Sequence, residues 1–367
     1  MKKHLKVLVC GALVGALTLS MVGCGTANEG GDTADNGSDI SVGIIVKTAT
    51  NAHFHDIAYG ACVAAKELGI GIKVDNTTSE VDTEGQITLC ENMISAGCDA
   101  VILTPNDSDG MSSAVEACHS AGIPFVTADT QITNIWGDEK NAYIPNFIGA
   151  HNEDITYNLA CNVFDALGGE GNVVILRGID ATSSSNERTS GFEKAIKEYP
   201  GITLIESQSA NYSQDDAVNT MADIIQANDD IDAVLCCNDM MAVGACSALM
   251  ENNIEVGKDG VLVAGVDGNI IALESIERGE MYATAYDWAI LWGYLSVMQA
   301  YDLIQGKEVP EFTMTQTDCV ITLDNLDEYM PHSTEVQEWG FSGKIPEEVS
   351  DYMYQFIEMG LEGVTEE

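Results

Sequence analysis

The chain has 367 residues, in which 58 Asp and Glu outnumber 15 Lys and Arg, so its formal net charge is −43. This balance excludes a nucleic-acid partner, because the phosphate backbone is bound through clustered Lys and Arg side chains. The length is sufficient for two domains with full hydrophobic cores.

The N-terminus has the pattern of an export signal. Lys2, Lys3 and Lys6 precede an uncharged apolar run at residues 7–22, which is short for a membrane span. Small residues and then Cys24 follow, as in lipoprotein signals. We therefore predict a signal peptide at residues 1–23, lipidation of Cys24 and a flexible tether at residues 24–39. The protein would then be extracytoplasmic and held on the cell membrane by lipid, at the bacterial surface or in the periplasm; an ordinary signal peptide is the alternative.

Cysteine usage predicts free thiols rather than a disulfide framework. Of the 11 cysteines, Cys10 falls in the predicted signal peptide and Cys24 is the predicted lipid acceptor. The rest form an odd set without paired spacing, and several lie in helix-like segments where Cys acts as a small apolar residue.

The body alternates short apolar runs with amphipathic helical segments. Nine runs rich in Val and Ile are predicted strands, at residues 42–46, 70–74, 100–103, 123–128, 172–176, 202–206, 233–236, 261–266 and 281–285. Five helices are predicted at residues 52–68, 84–96, 108–121, 154–167 and 215–227. The runs lack strict alternation, as expected of parallel strands buried on both faces. The order predicts an α/β protein with two doubly wound parallel sheets.

We predict two lobes joined by three hinge crossovers, near residues 150, 287 and 317. The N-terminal lobe comprises residues 40–149 with about 288–316, and the C-terminal lobe residues 150–287 with about 317–345. Residues 346–367 form an acidic extension, in which Pro346 precedes a predicted helix at residues 349–359.

Carboxylate, amide and aromatic side chains follow nearly every predicted strand, for example Asp129, Tyr212, Asn238 and Asp267. In open α/β sheets, ligands bind beyond the carboxyl ends of the strands. Any single Asx at such a place is as readily a helix cap. Their repetition predicts a cleft that surrounds a small polyhydroxylated molecule.

These residues, together with the segments 103–108, 182–192, 238–245 and 266–268, resemble the periplasmic sugar-binding proteins of the ribose and galactose type, the type I solute-binding proteins of ABC transporters. The resemblance extends from about residue 39 to residue 322. It implies a closing interlobe cleft as the sugar site.

The resemblance implies most of the candidate ligand-binding residues, and we add His151 at the lobe boundary. They are Asn51, His53, Phe54, Asp129, Thr130, His151, Arg188, Tyr212, Asn238, Asp267 and Asp287. His53 stands where the ribose type has an aromatic residue, Thr130 where it has Arg, and Asp287 where it has Gln. These departures disfavour ribose and leave the ligand open.

The charges of this set predict the chemistry of the ligand. Asp129, Asp267 and Asp287 supply three acceptors and Arg188 one fixed cation, so we expect a net negative site that suits neutral polyols and tolerates an amine. No metal-ligand spacing or phosphate loop is found, and neither a metal nor a cofactor is expected.

The resulting hypothesis is a monomeric lipoprotein that captures a neutral monosaccharide or related polyol and delivers it to ABC permease subunits. It is not expected to be an enzyme. Three alternatives remain: a binding protein that presents a sugar-like signal to a chemoreceptor or sensor kinase, a carrier of a nucleoside or amine, and a hydrolase that uses Asp129 and Asp267 as a carboxylate pair.

Overall fold

The computed structural model describes residues 39–133, 143–144 and 146–366. The predicted signal peptide, Cys24 and all but the last residue of the predicted tether lie outside the described residues. The strands are Ser41–Thr48 (β1), Gly71–Thr77 (β2), Ala100–Leu103 (β3), Phe125–Ala128 (β4), Phe147–Ala150 (β5), Glu170–Arg177 (β6), Gly201–Ser209 (β7), Ala233–Cys236 (β8), Leu262–Asp267 (β9), Ala283–Tyr286 (β10), Phe312–Thr315 (β11), Val320–Thr322 (β12) and Thr365–Glu366 (β13). The helices are His53–Leu68 (α1), Thr83–Ser95 (α2), Ser112–Ala121 (α3), Asn152–Ala166 (α4), Ser183–Glu198 (α5), Gln214–Ala227 (α6), Asp239–Glu251 (α7), Ile270–Glu277 (α8), Ala289–Ile304 (α9), Met330–Trp339 (α10) and Asp351–Leu361 (α11).

The strands form two sheets, one in each lobe, as the sequence predicts. The N-terminal lobe has the order β13-β11-β5-β4-β3-β1-β2 and the C-terminal lobe the order β12-β10-β9-β8-β6-β7. All pairs are parallel except β11–β13 and β10–β12 at the sheet edges. β1 is buried along nearly its whole length, because helices cover both faces of such a sheet, and its apolar run is therefore continuous.

Each of the nine predicted strands and five predicted helices overlaps an observed element of the same type. The largest difference is at α3, which begins at Ser112 rather than at residue 108. There the carboxylate of Asp107 accepts hydrogen bonds from the backbone N–H groups of Asp109 and Gly110, which makes a turn before the helix.

The chain passes between the sheets at the three predicted crossovers, after β5, after β10 and after β11. A fourth passage, which the sequence did not reveal, returns from β12 through α10 and α11 to β13 at the edge of the first sheet. The predicted lobe boundaries remain predictions, because α10 packs against α1 of one lobe and α8 of the other.

We call residues 330–366 the C-terminal segment. Tyr59 of α1 donates a hydrogen bond to Glu335 at 2.6 Å, and Phe356 of α11 stacks on Trp288 at a centroid distance of 5.1 Å. The predicted helix begins at Asp351, two residues later than expected, because the Ser350 hydroxyl caps it by accepting a hydrogen bond from the N–H of Met353. The segment therefore packs across both lobes next to the hinge.

All nine cysteines in the described residues are free, and seven of them are buried, which confirms the prediction of buried thiols for that part of the chain. Within the same residues, no helix has the length and apolarity needed to cross a bilayer.

Candidate functional site

A chain of alternating charges crosses the space between the lobes. Lys47 Nζ lies 2.8 Å from a carboxylate oxygen of Asp129, whose other oxygen lies 3.0 Å from His53 Nε2. His53 Nδ1 faces Asp267 and Asp287 at 3.7 Å each. Arg188 then lies 3.0 Å from both of these carboxylates. None of the six side chains is more than 6% exposed, so the charges interact in a region that is largely shielded from water.

The N-terminal lobe positions one half of this array. Lys47 is the penultimate residue of β1, His53 the first residue of α1, and Asp129 the residue after β4. The Asn51 side chain accepts a hydrogen bond from the N–H of His53 at 3.1 Å and donates one to Glu80 at 3.0 Å. The α1 start is thereby held against the strand ends, with His53 directed inward.

The C-terminal lobe positions the other half around Arg188 of α5. Its Nε donates to the side-chain oxygen of Asn152 at 2.8 Å, and one Nη donates to the carbonyl of Cys237 at 2.7 Å. The other contacts of the guanidinium are the carboxylates of Asp267 and Asp287. Its fork geometry therefore joins four separate elements of one lobe.

Backbone strain is concentrated at the same strand ends. Asp129, Tyr212 and Asp267 have φ values of 68°, 59° and 120°, in the region that side chains other than Gly seldom occupy. Trp288, which follows Asp287 at the hinge, has a φ of 66°. Residues held in such conformations cluster at ligand sites, where the surrounding structure imposes them.

The charge array shifts the pKa values of its members in opposite directions. Burial lowers the pKa of His53, but the charges of Asp267, Asp287 and Asp129 outweigh burial and raise it from 6.5 to about 10. Burial favours the neutral form of Asp129, yet Lys47 and His53 hold its pKa well below the usual range. Burial raises the pKa of Asp267, Asp287 and Glu80. The three cationic side chains of the site, Lys47, His53 and Arg188, thus face four carboxyl groups. These are the carboxyl groups of Asp129, Asp267, Asp287 and Glu80.

Lys47 adds a second fixed cation to Arg188, the one that the sequence predicts, but four carboxyl groups face the three cations, so the net negative charge of the site stays a prediction. Lys47 lies 2.8 Å from Asp129, next to Thr130, which stands where the ribose type has Arg. Thr130 instead donates its hydroxyl proton to Asp129 at 2.7 Å and accepts a hydrogen bond from Lys47 at 2.9 Å.

A small inner cavity of about 20 Å³ lies at the centre of the array. It adjoins a wider cleft of about 590 Å³, with which it shares Asn51, Glu80 and Tyr212. Its lining residues are Lys47, Asn51, His53, Phe54, Glu80, Asp129, Ser184, Arg188, Tyr212, Asn238 and Asp267. The structure thus brings eight of the eleven candidate residues to one cavity.

The three other candidate residues lie elsewhere. Thr130 and Asp287 are fully buried behind the wall, where they contact Lys47 and Arg188 respectively. His151 is exposed immediately before α4 and does not belong to the cavity lining. Its position at the lobe boundary made it a candidate, but its side chain is exposed.

Sequence reasoning missed Lys47, Glu80 and Ser184. Lys47 had a signal, since a lysine at the end of an otherwise apolar strand that is buried on both faces requires a partner. Ser184 lies in the serine-rich stretch before Arg188, and its hydroxyl is 3.2 Å from that of Tyr212. Glu80 lies in the loop between β2 and α2 and had no distinguishing signal.

Aromatic rings complete the wall. Lys47 Nζ lies 5.6 Å from the ring centroid of Phe54 and 5.9 Å from that of Tyr212. The His53 ring meets Phe54 edge-on at 5.1 Å. Trp288 and Trp292 are buried, as expected of packing residues. The polar array is therefore bordered by apolar faces of the kind that contact sugar C–H groups.

His53, Asp267 and Asp287 also offer ligand atoms within 4.8 Å of one another. Arg188 already contacts both carboxylates at 3.0 Å, so a metal ion there would meet a fixed positive charge. This geometry favours an ion-pair network over a metal centre.

The fold and this interlobe site define a two-lobed binding protein of the periplasmic type I class. The model of the family described as a periplasmic binding protein domain matches residues 42–308, and the chain belongs to this family.

Relatives with a named ligand support this assignment. The chain is 31% identical to the ribose import binding protein of Bacillus subtilis, over 75% of this chain and 85% of that protein. It is 28% identical to the xylitol-binding protein of Mycolicibacterium smegmatis, over 88% of this chain and 87% of that protein. The crystal structure of an ABC transporter periplasmic solute-binding protein from Actinobacillus succinogenes, with bound D-allose, superposes with a TM-score of 0.73 at 31% identity, covering 79% of this chain and all of that one.

Proposed function

We propose that this protein captures a neutral monosaccharide or related polyol between its lobes and delivers it to the permease subunits of an ABC importer. The observation that carries the proposal is the array of alternating donors and acceptors from Lys47 to Arg188, to which both lobes contribute. Charged donors and acceptors that already contact one another can form strong hydrogen bonds with the hydroxyl groups of a neutral ligand. The relatives named above, which bind ribose, xylitol and D-allose, are consistent with this class.

Capture would require the lobes to separate and close again. The inner cavity of about 20 Å³ has room for roughly one water molecule. Direct contacts now join the lobes across it, including those from His53 to Asp267 and from Thr130 to Ser184 at 3.3 Å. A sugar would replace these contacts with its own hydroxyl groups, and closure would shield the new hydrogen bonds from water.

His53 supplies a donor for this exchange. Its Nδ1 is buried and has no hydrogen-bond partner among the described residues, although two carboxylates lie 3.7 Å away. A ligand oxygen between the lobes would accept from this atom. Asp129, Asp267 and Glu80 offer acceptors for the ligand hydroxyl protons, while Phe54 and Tyr212 border its apolar face.

We further propose that the protein is not an enzyme. A hydrolase with Asp129 and Asp267 as its pair would need one carboxyl group that donates a proton. Asp129 is instead held ionised by Lys47 and His53, and Arg188 contacts Asp267 at 3.0 Å. These fixed contacts suit static recognition better than proton transfer.

The proposal includes a lipid-anchored, extracytoplasmic and monomeric protein. Its support is the sequence pattern at residues 1–24, together with the periplasmic description of the family. Mass spectrometry of the membrane fraction tests the anchor: we expect a lipid-sized mass increase on the chain that begins at Cys24, and its loss in Cys24→Ser.

The sugar assignment is tested by thermal unfolding of residues 25–367, which include the whole described fold, against pentoses, hexoses, inositols, nucleosides and polyamines. A ligand at a thousandfold excess over its Kd stabilises the folded state by about 4 kcal/mol. We expect a large rise in Tm with one sugar or polyol. Arg188→Ala should lose this rise, whereas the exposed Arg278→Ala should respond like the wild type. A rise with nucleosides or amines that Arg188→Ala loses, with none for any sugar or polyol, would contradict the proposal.

A further inference from the structure

A second cavity, of about 200 Å³, lies where both lobes meet the C-terminal segment. The start of α1 contributes Asp56, the start of α8 contributes Ile270 and Ile271, and α10 contributes Ser333 and Val336. Within residues 39–133 and 146–366, this cavity shares no lining residue with the inner interlobe cavity and only Thr50 with the wider cleft. We call it the α10 cavity.

Asp56 is the unusual member of its lining. It is 3% exposed, and its carboxylate has neither a hydrogen bond nor an ion pair with any residue that the structure describes. Burial raises its pKa from 3.8 to about 8; the charge of His53 opposes the shift and those of Asp287 and Asp267 add to it. A buried carboxylate is ordinarily paired, because its desolvation is otherwise uncompensated. Without a partner, the Asp56 carboxyl group therefore stays mostly neutral up to about pH 8. A cationic ligand in the cavity would supply the missing partner and favour the ionised form.

The remaining wall limits what that ligand can be. Ile270, Ile271 and Val336 make one side apolar. Of the lining hydroxyls, that of Ser333 lies 3.1 Å from His332 Nε2, and that of Thr50 lies 3.0 Å from the hydroxyl of Thr48. The wall also includes Gln337, which is exposed, and His55, whose Nε2 lies 2.8 Å from the carbonyl oxygen of Ala49. Asp56 is the one carboxylate among the described lining residues, which suits a monovalent cation better than a hard divalent ion with about six or more oxygen ligands.

The size of the cavity points to a small organic molecule. The α10 cavity, at about 200 Å³, has about ten times the volume of the 20 Å³ inner cavity, which admits roughly one water, so it accommodates a molecule of several heavy atoms. One charged end would face Asp56 and a short hydrocarbon part would face the isoleucines. Both features occur together in a short primary amine in its protonated form.

We propose that the α10 cavity is a second ligand site, which binds a small alkylammonium compound with its charge on the Asp56 carboxylate and its methylene groups on Ile270, Ile271 and Val336. This site is separate from the sugar site, and the proposal does not depend on which sugar the protein carries.

The first test is an NMR titration of the purified chain, with isoleucine methyl groups labelled. The probe is propylammonium chloride, and 1-propanol at equal concentration is the neutral control. We expect saturable shifts of the Ile270 and Ile271 methyl resonances with propylammonium only. Absence of such shifts, or equal shifts with 1-propanol, would overturn the proposal.

The second test compares propylammonium affinity between variants by calorimetry. Asp56→Asn should weaken binding by about tenfold or more, because it removes the charge while keeping the shape. The matched control is Asp154→Asn, whose side chain is 55% exposed and which should bind like the wild type. Unchanged affinity in Asp56→Asn would contradict the proposal. If that variant does not fold, the wild-type titration decides alone.

Discussion

The interlobe site and the α10 cavity meet at the start of α1, and each contains a buried carboxyl group. The pKa values of these two groups are shifted in opposite directions. Next to His53 on α1, Asp129 is paired with two cations and its pKa is held low. Asp56, three residues further along the same helix, has no partner in the described structure, and its pKa is raised to about 8. Equal burial therefore has opposite consequences for charge, and the partner decides which one applies.

Removing the central cation of the C-terminal lobe is expected to have the largest effect. Arg188→Ala leaves Asp267 and Asp287 buried without their guanidinium, which costs about 3–5 kcal/mol in the free energy of unfolding, besides the loss of sugar binding. Urea denaturation measures this cost. In the control Arg278→Ala, the lost side chain is 50% exposed and the expected change is below about 1 kcal/mol. A small loss in Arg188→Ala would show that the array is not held by this residue.

Removing the cation of the N-terminal lobe is expected to cost less, because His53 and Thr130 still contact Asp129. We expect Lys47→Met to lower the free energy of unfolding by about 2–3 kcal/mol at neutral pH. The low pKa of Asp129 stabilises the fold above the usual Asp pKa, and this contribution is lost as the pH falls below about 4. The difference between Lys47→Met and the wild type should therefore shrink in acid.

The control for that variant is Lys307→Met, which removes a lysine that is 60% exposed and paired with Asp302. It should leave the free energy of unfolding nearly unchanged at any pH, because water and salt screen an exposed pair. Equal losses in the two variants would contradict the role of Lys47 as the buried partner of Asp129.

Replacing the unpaired carboxylate of Asp56 by a neutral amide is expected to raise the free energy of unfolding, whereas the two preceding variants, Arg188→Ala and Lys47→Met, lower it. The folded-state pKa of Asp56, about 8, exceeds its ordinary value of 3.8, so the wild type loses stability as the pH rises between these values. We expect Asp56→Asn to be more stable by about 1–3 kcal/mol at pH 8 and equal to the wild type below about pH 4. Chemical unfolding at several pH values measures the difference. A gain that does not depend on pH would show that the carboxylate is not the cause.

Most elements were predictable from the sequence because their signals are local. The continuous apolar run of β1 and the glycines after helices such as Gly69, with a φ of 66°, depend on a few neighbouring residues. The site residues after strands, such as Asp129 and Asn238, were predictable because parallel strands bring their carboxyl ends to one edge.

Residues whose role depends on a distant partner were not predictable in this way. Lys47 lies within a strand, and only the arrangement of β1 and β4 in one sheet brings it to Asp129. His151 was included for its place at the hinge, but its side chain is exposed. Lys47 was not counted among the cations of the site for the same reason.

Asp56 shows most clearly which properties the sequence determines and which the tertiary structure determines. By sequence alone it is an acidic residue in the first turn of α1, a favourable place with respect to the helix dipole. The sequence by itself determined the two-lobed α/β class and most of the polar residues at the strand ends, since these follow from composition and short-range periodicity; the export signal at its start stays a prediction. Only the tertiary structure decided which carboxylates have partners, because pairing and burial arise where separate elements, here α1, α8 and the C-terminal segment, come together in space.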